Sequence, residues 1–380
     1  MRKTEKVVKY SIFSFFYSFI IACRYFDNHY IDCNQFCFRL ITSLDLEKFD
    51  PSGMHKIYDM WPKMAKNAYS SDLHMTSLSN IDHIVIAGMG GSGAIGDLFS
   101  SILSKNDVHV TLVKGYLLPK TVDSNTLVIT ISVSGNTVET LNVLKTAKDL
   151  NCKLIAFSSG GKMQEFCIKH NVEYHVIEQT HSPRSSFVNY VYSLLKILKP
   201  ILPITENDVI ESISTLENTQ KLINSENLTE TNTSLLLSEW IQNIPLIYYP
   251  HGLQAAAIRF KSSLQENAKS HAIIENVIES CHNGIVAWEK PSLLQPILIQ
   301  GQNDYEKTKE RWQILKEYFD ENNIKYWDVN TINGNILSKL MDLIYGLDYT
   351  TIYKAISSEI DPSSIQSIDF VKRRLNSELI

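Results

Sequence analysis

Short apolar runs alternate with longer mixed segments along most of the chain. Each run has the length of one β-strand, and the segments between runs hold roughly 10 to 20 residues with the composition of helices. This alternation predicts a parallel sheet with helices on both faces. The runs of the first half are HIVIAG (83–88), VHVTLVK (108–114), LVITIS (127–132), CKLIAFS (152–158) and VEYHVI (172–177).

A second series of runs follows a polar stretch at residues 203–240, which is rich in Asn, Ser, Thr and Glu and which we interpret as a helical connection. We therefore expect two α/β units of similar plan. The tail from 336 to 375 has the pattern of helices, interrupted at DPSS, where Asp361 as N-cap and Pro362 as first helical residue predict a new helix. The runs of the second half are IPLIYY (244–249), GIVAWE (284–289), LLQPILIQ (293–300) and IKYWDV (324–329).

The composition is that of an ordinary folded protein, with 44% hydrophobic and 20% charged residues among 380. This length predicts two domains, because single cores stop growing near about 250 residues. The net charge is −5 and no Lys/Arg cluster forms a basic stripe, which argues against a nucleic-acid partner. The six cysteines include no CxxC pair and no histidine at zinc spacing, so we expect reduced thiols, a cytoplasmic protein and no metal.

The first 45 or so residues differ in composition from the rest. A basic start is followed by SIFSFFYSFIIA and Cys23, and this apolar run is too short to span a bilayer, which takes ~20 apolar residues. The run resembles the core of a signal peptide, and IIAC resembles the cleavage box of bacterial lipoproteins. A signal and an extension from an early start codon both stay open. We favour the extension and expect no membrane partner, because the rest of the chain carries no disulfide pattern.

The stretch IVIAGMGGSGAIGD (84–97) leaves a predicted strand through a glycine-rich turn that satisfies the GxGxxG spacing. A dinucleotide fold also needs an acidic residue at the end of the next strand, but that strand ends in Lys114 and Gly115. A dehydrogenase is therefore a weak interpretation. The backbone and hydroxyl groups at a helix N-terminus suit a compact phosphate monoester as well, and the candidates here are Gly90, Gly91 and Ser92.

A second turn, in ITISVSGNTVETL (129–141), supplies hydroxyl groups where the next predicted strand meets a helix. Each of Ser132, Ser134 and Thr137 alone would be read as a helix cap, but three hydroxyls within six residues favour a neutral phosphate cradle. Further on, SSGGKM (158–163) lacks the first glycine and the Ser/Thr of a nucleotide-binding loop. The sequence thus predicts no nucleotide cofactor.

The segments GMGGSG, SVSGNTVETL and SSGGK, in this order, resemble the sugar isomerase (SIS) fold. With SPRSS (182–186), IRFKSSLQENAKSHA (258–272), IESCHNGIVAWE (278–289) and DPSSIQSIDFVKRRL (361–375), they are similar to archaeal-type bifunctional phosphoglucose/phosphomannose isomerases. The resemblance implies two doubly wound SIS domains with parallel sheets and C-terminal helices. The expected boundaries are an extension at 1–48, a first domain at 49–202, a helical connection at 203–240 and a second domain at 241–380.

The resemblance also implies roles for four residues. Glu266 is the base that moves a proton between two neighbouring carbons of the sugar, and Arg184 is the cation beside the negative charge that then develops. His282 opens the sugar ring from the partner subunit, which implies a homodimer with composite active sites. Lys372 assists ring opening, although Arg373 and Arg374 lie beside it in the sequence.

The expected activity is the interconversion of glucose 6-phosphate, and of mannose 6-phosphate, with fructose 6-phosphate, without a cofactor. The alternative is a protein of the same fold that binds a phosphosugar as a sensor without turnover. That alternative does not require an ordered set of Glu, His and Lys. It usually comes with a DNA-binding or partner domain, which the sequence does not suggest.

Overall fold

The computed structural model describes residues 41–377, and the N-terminal run with Cys23 lies outside them. We number helices and strands in chain order within that part. Three short helices come first, and the first of them begins at a capping box in which Thr42 and Asp45 each accept a hydrogen bond from the other's backbone amide. These helices are α1 (Ser43–Phe49), α2 (Met54–Asp59) and α3 (Trp61–Ser70).

The first sheet has five parallel strands in the order β2-β1-β3-β4-β5. All five predicted runs of the first half form strands, and β1 and β3 are buried along their whole length, as expected for central strands covered on both faces. The elements are β1 (His83–Ala87), α4 (Gly90–Leu103), β2 (His109–Val113), β3 (Thr126–Ser132), α5 (Val138–Lys148), β4 (Lys153–Ser158), α6 (Gly161–His170) and β5 (Glu173–Val176).

The second sheet has four parallel strands in the order β7-β6-β8-β9. Three of its strands lie within or overlap the predicted runs, which confirms the second α/β series. The remaining elements up to the last strand are α7 (Phe187–Ile197), α8 (Glu206–Ile223), α9 (Thr233–Trp240), β6 (Ile244–Tyr249), α10 (Gln254–Asn267), β7 (Ile273–Asn276), α11 (Val277–Ser280), β8 (Leu294–Gln300), α12 (Glu306–Glu321) and β9 (Trp327–Asn330).

Two details of the sequence prediction are wrong. The run GIVAWE is a 3₁₀ helix, Gly284–Glu289, in which Trp288 is buried and donates from Nε1 to the hydroxyl of Tyr248 while Val286 is exposed. Trp288 is the one buried residue of this helix, so the run lacks the alternation of a half-buried strand. The strand that was missed is β7, an edge strand with only two apolar residues.

The chain after β9 is helical, as predicted, but its second helix begins later than expected. Helix α13 (Ile336–Ser357) is almost wholly buried, and α14 (Gln366–Ser377) follows it. Asp361 is not an N-cap: its Oδ1 accepts from the amide of Ser363 at 2.7 Å and closes a turn. The chain therefore runs on for several residues before α14 begins.

The largest buried apolar cluster joins both sheets to α13. It includes Ile129 of the first sheet, Ile297 of the second and Met341 of α13. The polar stretch at 203–240 also contributes, through Leu216 on α8 and Leu235 on α9. The two sheets thus share one continuous core, and α13 lies within it.

Among residues 41–377, no helix combines the length and apolar character that crossing a bilayer requires. The same part of the chain holds no group of three or more His, Cys, Asp or Glu side chains arranged to bind a metal ion. Cys152, Cys167 and Cys281 are free thiols, and the other three cysteines lie outside the described residues.

Candidate functional site

The two turns singled out in the sequence flank the point where the strand order of the first sheet reverses. The chain goes from β1 to β2 on one side and returns with β3 on the other side of β1. In open α/β sheets, ligands bind at the carboxyl ends of the strands at such a point. The glycine turn follows β1 and the SVSGNT turn follows β3, so both lie at this position.

The glycine turn leads directly into α4 at Gly90, whose φ of +53° is one that glycine adopts without strain. The N-cap Met89 makes no side-chain cap, so the amides of Gly90 and Gly91 have no capping acceptor, while the amide of Ser92 donates to the carbonyl oxygen of Met89 at 3.0 Å. A Cβ on Gly91 would approach the carbonyl oxygen of Pro183 to 3.3 Å. The loop that carries Arg184 therefore packs directly on this turn.

Ser92 connects the glycine turn to the second turn. It is 5% exposed, and its Oγ accepts a hydrogen bond from the amide of Val133 at 3.3 Å. The hydroxyl proton remains available for a donation. Ser92 thus holds the two turns together whether or not it also contacts a ligand.

The SVSGNT turn gathers hydroxyl groups at the start of α5. Ser132 donates from Oγ to Oγ1 of Thr137 at 3.0 Å, and the exposed Ser134 accepts from the amide of Asn136 at 3.3 Å. Thr137 is the N-cap of α5 but makes no side-chain cap. Hydroxyls and amides at a helix N-terminus are groups that can bind an anion, and the phosphate site at this turn stays a prediction.

The SSGGK loop is the packing partner of this turn. Gly135 has φ +66°, and a Cβ there would fall well inside van der Waals contact with the carbonyl oxygen of Gly160. Gly161 also approaches closely, since its Cβ would lie 2.7 Å from the carbonyl oxygen of Ser134. The amide of Met163 donates to the carbonyl oxygen of Gly135 at 2.9 Å. The glycines therefore allow the backbone of this loop to lie close to the backbone of the SVSGNT turn.

Arg184 and Glu266, which are 82 positions apart in the sequence, are brought together. Nη1 of Arg184 lies 3.3 Å from Oε2 of Glu266 at the end of α10. The rest of the guanidinium is fixed, because Nε donates to Oδ1 of Asn267 at 2.7 Å and Nη2 donates to the carbonyl oxygen of Pro362 at 2.6 Å. Arg184 is buried, whereas the side chain of Glu266 is 30% exposed.

A buried network supports this pair. Arg259 donates from Nη2 to Oδ2 of Asp348 at 2.6 Å and to the carbonyl oxygen of Arg184 at 2.9 Å. Its guanidinium lies 3.8 Å from the ring centre of Phe187. Asn267 donates from Nδ2 to Oγ1 of Thr351 at 2.8 Å, which ties the end of α10 to α13. Both the backbone and the side-chain partner of Arg184 are thus held by the core.

Glu266 opens on a groove of about 570 Å³. One wall comes from the end of α10 and the residues after it, and the other from the start of α14 and the residues before it. The lining residues are Gln265, Glu266, Lys269, Ser270 and His271 in the first wall and 364–368 in the second. Lys269 also lines this groove, although the sequence analysis missed it. It stands in the same QENAKSHA motif as Glu266, and that shared motif was the available signal.

The structure does not bring His282 and Lys372 into this cluster. His282 is exposed on the turn after α11, which is organised by Asn276 as N-cap and by Asn283, whose Oδ1 accepts from the amide of Gly284. Lys372 is exposed on α14, one helical turn beyond Ile368 of the groove wall. Their predicted roles stay predictions.

Comparisons with known proteins show which family the chain belongs to. A family model for the SIS domain matches residues 77–198, and one for the bacterial phospho-glucose isomerase C-terminal SIS domain matches residues 230–375. The fold resembles a hypothetical protein of Thermus thermophilus, with a TM-score of 0.66 and 14% identity, over 88% of this chain and 93% of that one.

Two curated relatives extend over most of the chain. The bifunctional phosphoglucose/phosphomannose isomerase of Caldicellulosiruptor bescii is 30% identical over 339 residues, 86% of this chain and 96% of the relative. The protein of the same name from Thermoplasma volcanium is 30% identical over 295 residues, 77% of this chain and 91% of the relative. The chain therefore belongs to the bifunctional phosphoglucose/phosphomannose isomerases, a family of enzymes.

Proposed function

We propose that the enzyme interconverts glucose 6-phosphate and mannose 6-phosphate with fructose 6-phosphate, with Glu266 as the base. The observation that carries this proposal is the fixed Arg184–Glu266 pair at the edge of an open groove. A partly exposed carboxylate can reach a carbon-bound proton. A buried cation beside it, held by hydrogen bonds from Nε and Nη2, stabilises developing negative charge without reorganising.

The chemistry proceeds through an enediolate. Glu266 takes the proton from C2 of the open-chain aldose, and the electrons of the C2–H bond form a C1–C2 double bond while O1 becomes negative. The proton then returns to C1, the carbonyl forms at C2, and the C2 hydroxyl proton moves to O1. Because the enediolate is planar at C2, reprotonation there from either face gives glucose 6-phosphate or mannose 6-phosphate. One base serves both substrates when the enediolate turns about its C2–C3 bond and presents either face of C2 to Glu266.

The phosphate group would bind where the two turns meet. Ser132, Ser134 and Thr137 would donate to its oxygens together with the first amides of α5, and Gly90, Gly91 and Ser92 would hold the sugar. Support comes from the missing side-chain caps of α4 and α5. At the end of β2, where a dinucleotide fold needs an acid, Lys114 binds both carboxylate oxygens of Asp97, at 2.6 and 2.7 Å. This favours a phosphosugar over a dinucleotide.

The remaining parts of the proposal rest on the family resemblance. His282 of the partner subunit would protonate the ring oxygen, and Lys372 would assist it, so the working unit would be a homodimer with composite sites. The two SIS domains would divide near residues 203–240. We place the protein in the cytoplasm and expect no cofactor.

Solvent exchange at C2 tests the role of Glu266. In D₂O, Glu266→Gln should lose the exchange of the C2 proton of glucose 6-phosphate by about 10³-fold, while inorganic phosphate still competes for the site. Glu317→Gln, at an exposed position of α12, is the matched control and should exchange like the wild type. Retained exchange in Glu266→Gln would remove this residue from the mechanism. Binding without exchange or turnover in the wild type would favour the phosphosugar sensor.

A further inference from the structure

Lys269 is the charged side chain of the groove to which the proposed chemistry gives no role. It follows α10 with a φ of +54°, a left-handed conformation that is uncommon for a residue with a side chain. This conformation ends the helix and turns the side chain back along its last turn. An unusual backbone here is maintained only if the contacts it permits compensate for the strain.

Those contacts are all with main-chain carbonyl oxygens. Nζ of Lys269 donates to Glu266 at 2.6 Å and to Ser364 at 2.7 Å, with longer contacts of 3.4 Å to Asn267 and Asp361. The ammonium therefore bridges the C-terminal end of α10 and the segment that precedes α14. A cation at a helix C-terminus is favoured by the unpaired carbonyl groups there.

We call residues 358–377 the C-terminal arm. Arg184 also holds it, through the bond from Nη2 to the carbonyl oxygen of Pro362. Two cations next to Glu266 thus hold the arm. Arg184 binds the carbonyl oxygen of Pro362, and Lys269 binds those of Asp361 and Ser364. The start of the arm is also held by the core, since Ile360 packs against it, Pro362 is buried and Oγ of Ser363 lies 2.5 Å from Oγ of Ser52. Residues 366–375 of α14, by contrast, are exposed apart from the partly covered Ile368. Segments with few buried apolar contacts open at low free-energy cost.

We propose that Lys269 is a positioning residue of this enzyme, which clamps the C-terminal arm onto the end of α10 and so fixes the groove wall that faces Glu266. The inference rests on the proposed function, because it concerns the groove in which Glu266 would act. Residues 364–368 of the arm form that wall, and the same arm carries Lys372. Releasing the arm would displace the wall and Lys372 together.

Lys269 is exposed as a residue, but its ammonium group is partly desolvated where it meets the carbonyl oxygens. Burial lowers the pKa of its ammonium, and the charge of Arg184 lowers that pKa further, whereas Asp361 and Glu266 oppose the shift.

Replacing Lys269 with methionine in the full-length chain removes the donors and keeps the aliphatic chain. We expect kcat to fall by about 10- to 100-fold, because displacement of a site by about 1 Å costs this much. The inhibition constant of inorganic phosphate should not change, since the phosphate turns do not contact the arm. Lys269→Arg, which retains a cation able to donate to carbonyl oxygens, should restore most of kcat. Lys261→Met, on α10 but outside the groove, is the matched control.

Limited trypsin digestion reports on the arm without relying on turnover, because Lys372, Arg373 and Arg374 lie within it. We expect Lys269→Met to be cleaved there about tenfold faster than the wild type and Lys261→Met to be cleaved at the wild-type rate. Unchanged cleavage in Lys269→Met would overturn the clamp, and faster cleavage with unchanged kcat would overturn the positioning role. If the wild type does not isomerise sugar phosphates, the proposed function fails, while digestion still decides whether Lys269 holds the arm.

Discussion

Arg184 presents one edge of its guanidinium to Glu266, with Nη1 3.3 Å from Oε2, while its other nitrogens are bound to Asn267 and to the carbonyl oxygen of Pro362. The cation is 5% exposed, whereas the side chain of Glu266 is 30% exposed. The carboxylate is therefore open to the groove beside a charge that cannot turn away from it. These three simultaneous contacts require the planar, forked guanidinium of an arginine side chain.

Replacing Arg184 with lysine retains the charge but cannot reproduce three directed contacts. We expect kcat to fall by about 10²-fold, because a misplaced cation stabilises the enediolate less well. Arg311→Lys, at a partly exposed position of α12, is the control and should leave kcat at the wild-type value. Steady-state kinetics with glucose 6-phosphate measure both, and a fully active Arg184→Lys would show that the fixed, forked contacts of the guanidinium are not required.

The sheets could be predicted from the sequence because each strand leaves a local signature. β1, β3 and β8 are apolar runs of strand length bounded by turns, and β6 follows the same rule. GIVAWE has a similar composition, yet the burial of Trp288 against Tyr248 makes it a 3₁₀ helix. That outcome depends on a contact 40 positions away in the sequence, which no local pattern contains.

The site could be predicted only where its chemistry is local. The hydroxyl groups of Ser132 and Thr137 stand in one turn, so their spacing was informative. The contact of Arg184 with Glu266 joins the loop before α7 to the end of α10 across 82 positions of the sequence, and no local pattern contains it. The role of Lys269 could not be predicted, because its partner Ser364 lies 95 positions away. The bond is to the main-chain carbonyl oxygen of Ser364, which every residue type offers and no sequence pattern marks.

Gly135 should be required for the phosphate site. A side chain there would have to adopt φ +66° and would overlap the carbonyl oxygen of Gly160. We expect Gly135→Ala to lower the free energy of unfolding by about 1–3 kcal/mol and to weaken inhibition by inorganic phosphate, because the SVSGNT turn must move. Gly115→Ala is the control, since a Cβ at that position meets open space. Equal phosphate inhibition in the two variants would count against the predicted cradle.

Asp50 should make the protein sensitive to acid. Burial raises the pKa of its carboxyl, but hydrogen bonds from the ring and amide of His55 and from the amide of Met54 bring the pKa below its ordinary value. A carboxyl with a lowered pKa in the folded state stabilises the protein above its unfolded pKa of about 3.9. That stabilisation is lost as the pH falls through the lower, folded value.

Replacing Asp50 with asparagine should therefore lower the free energy of unfolding at pH 7 by about 1–3 kcal/mol. It should also flatten the dependence of that free energy on pH below about pH 4. Urea unfolding at several pH values measures both effects. Asp72→Asn, at an exposed position, should behave like the wild type. An unchanged acid dependence in Asp50→Asn would show that other carboxyl groups govern it.

Mixed dimers of two inactive variants can test the predicted composite site. If His282 acts in the partner's site, Glu266→Gln and His282→Asn chains are each inactive alone, yet a heterodimer of the two contains one site with both native residues. Random pairing of equal amounts of the two chains makes half of the dimers mixed, so co-expression should restore about one quarter of wild-type activity.

The matched control pairs Glu266→Gln with Arg184→Lys, because these two residues contact each other within one chain. Every site of that mixed dimer lacks one of them, so activity should not rise above that of the Arg184→Lys sites. Recovery in the first mixture and none in the second would assign Glu266 and His282 to different chains. If neither mixture recovers activity, or if His282→Asn alone remains active, the imidazole does not act across the subunits, and ring opening must rely on groups of the same chain, of which Lys372 is the first to test.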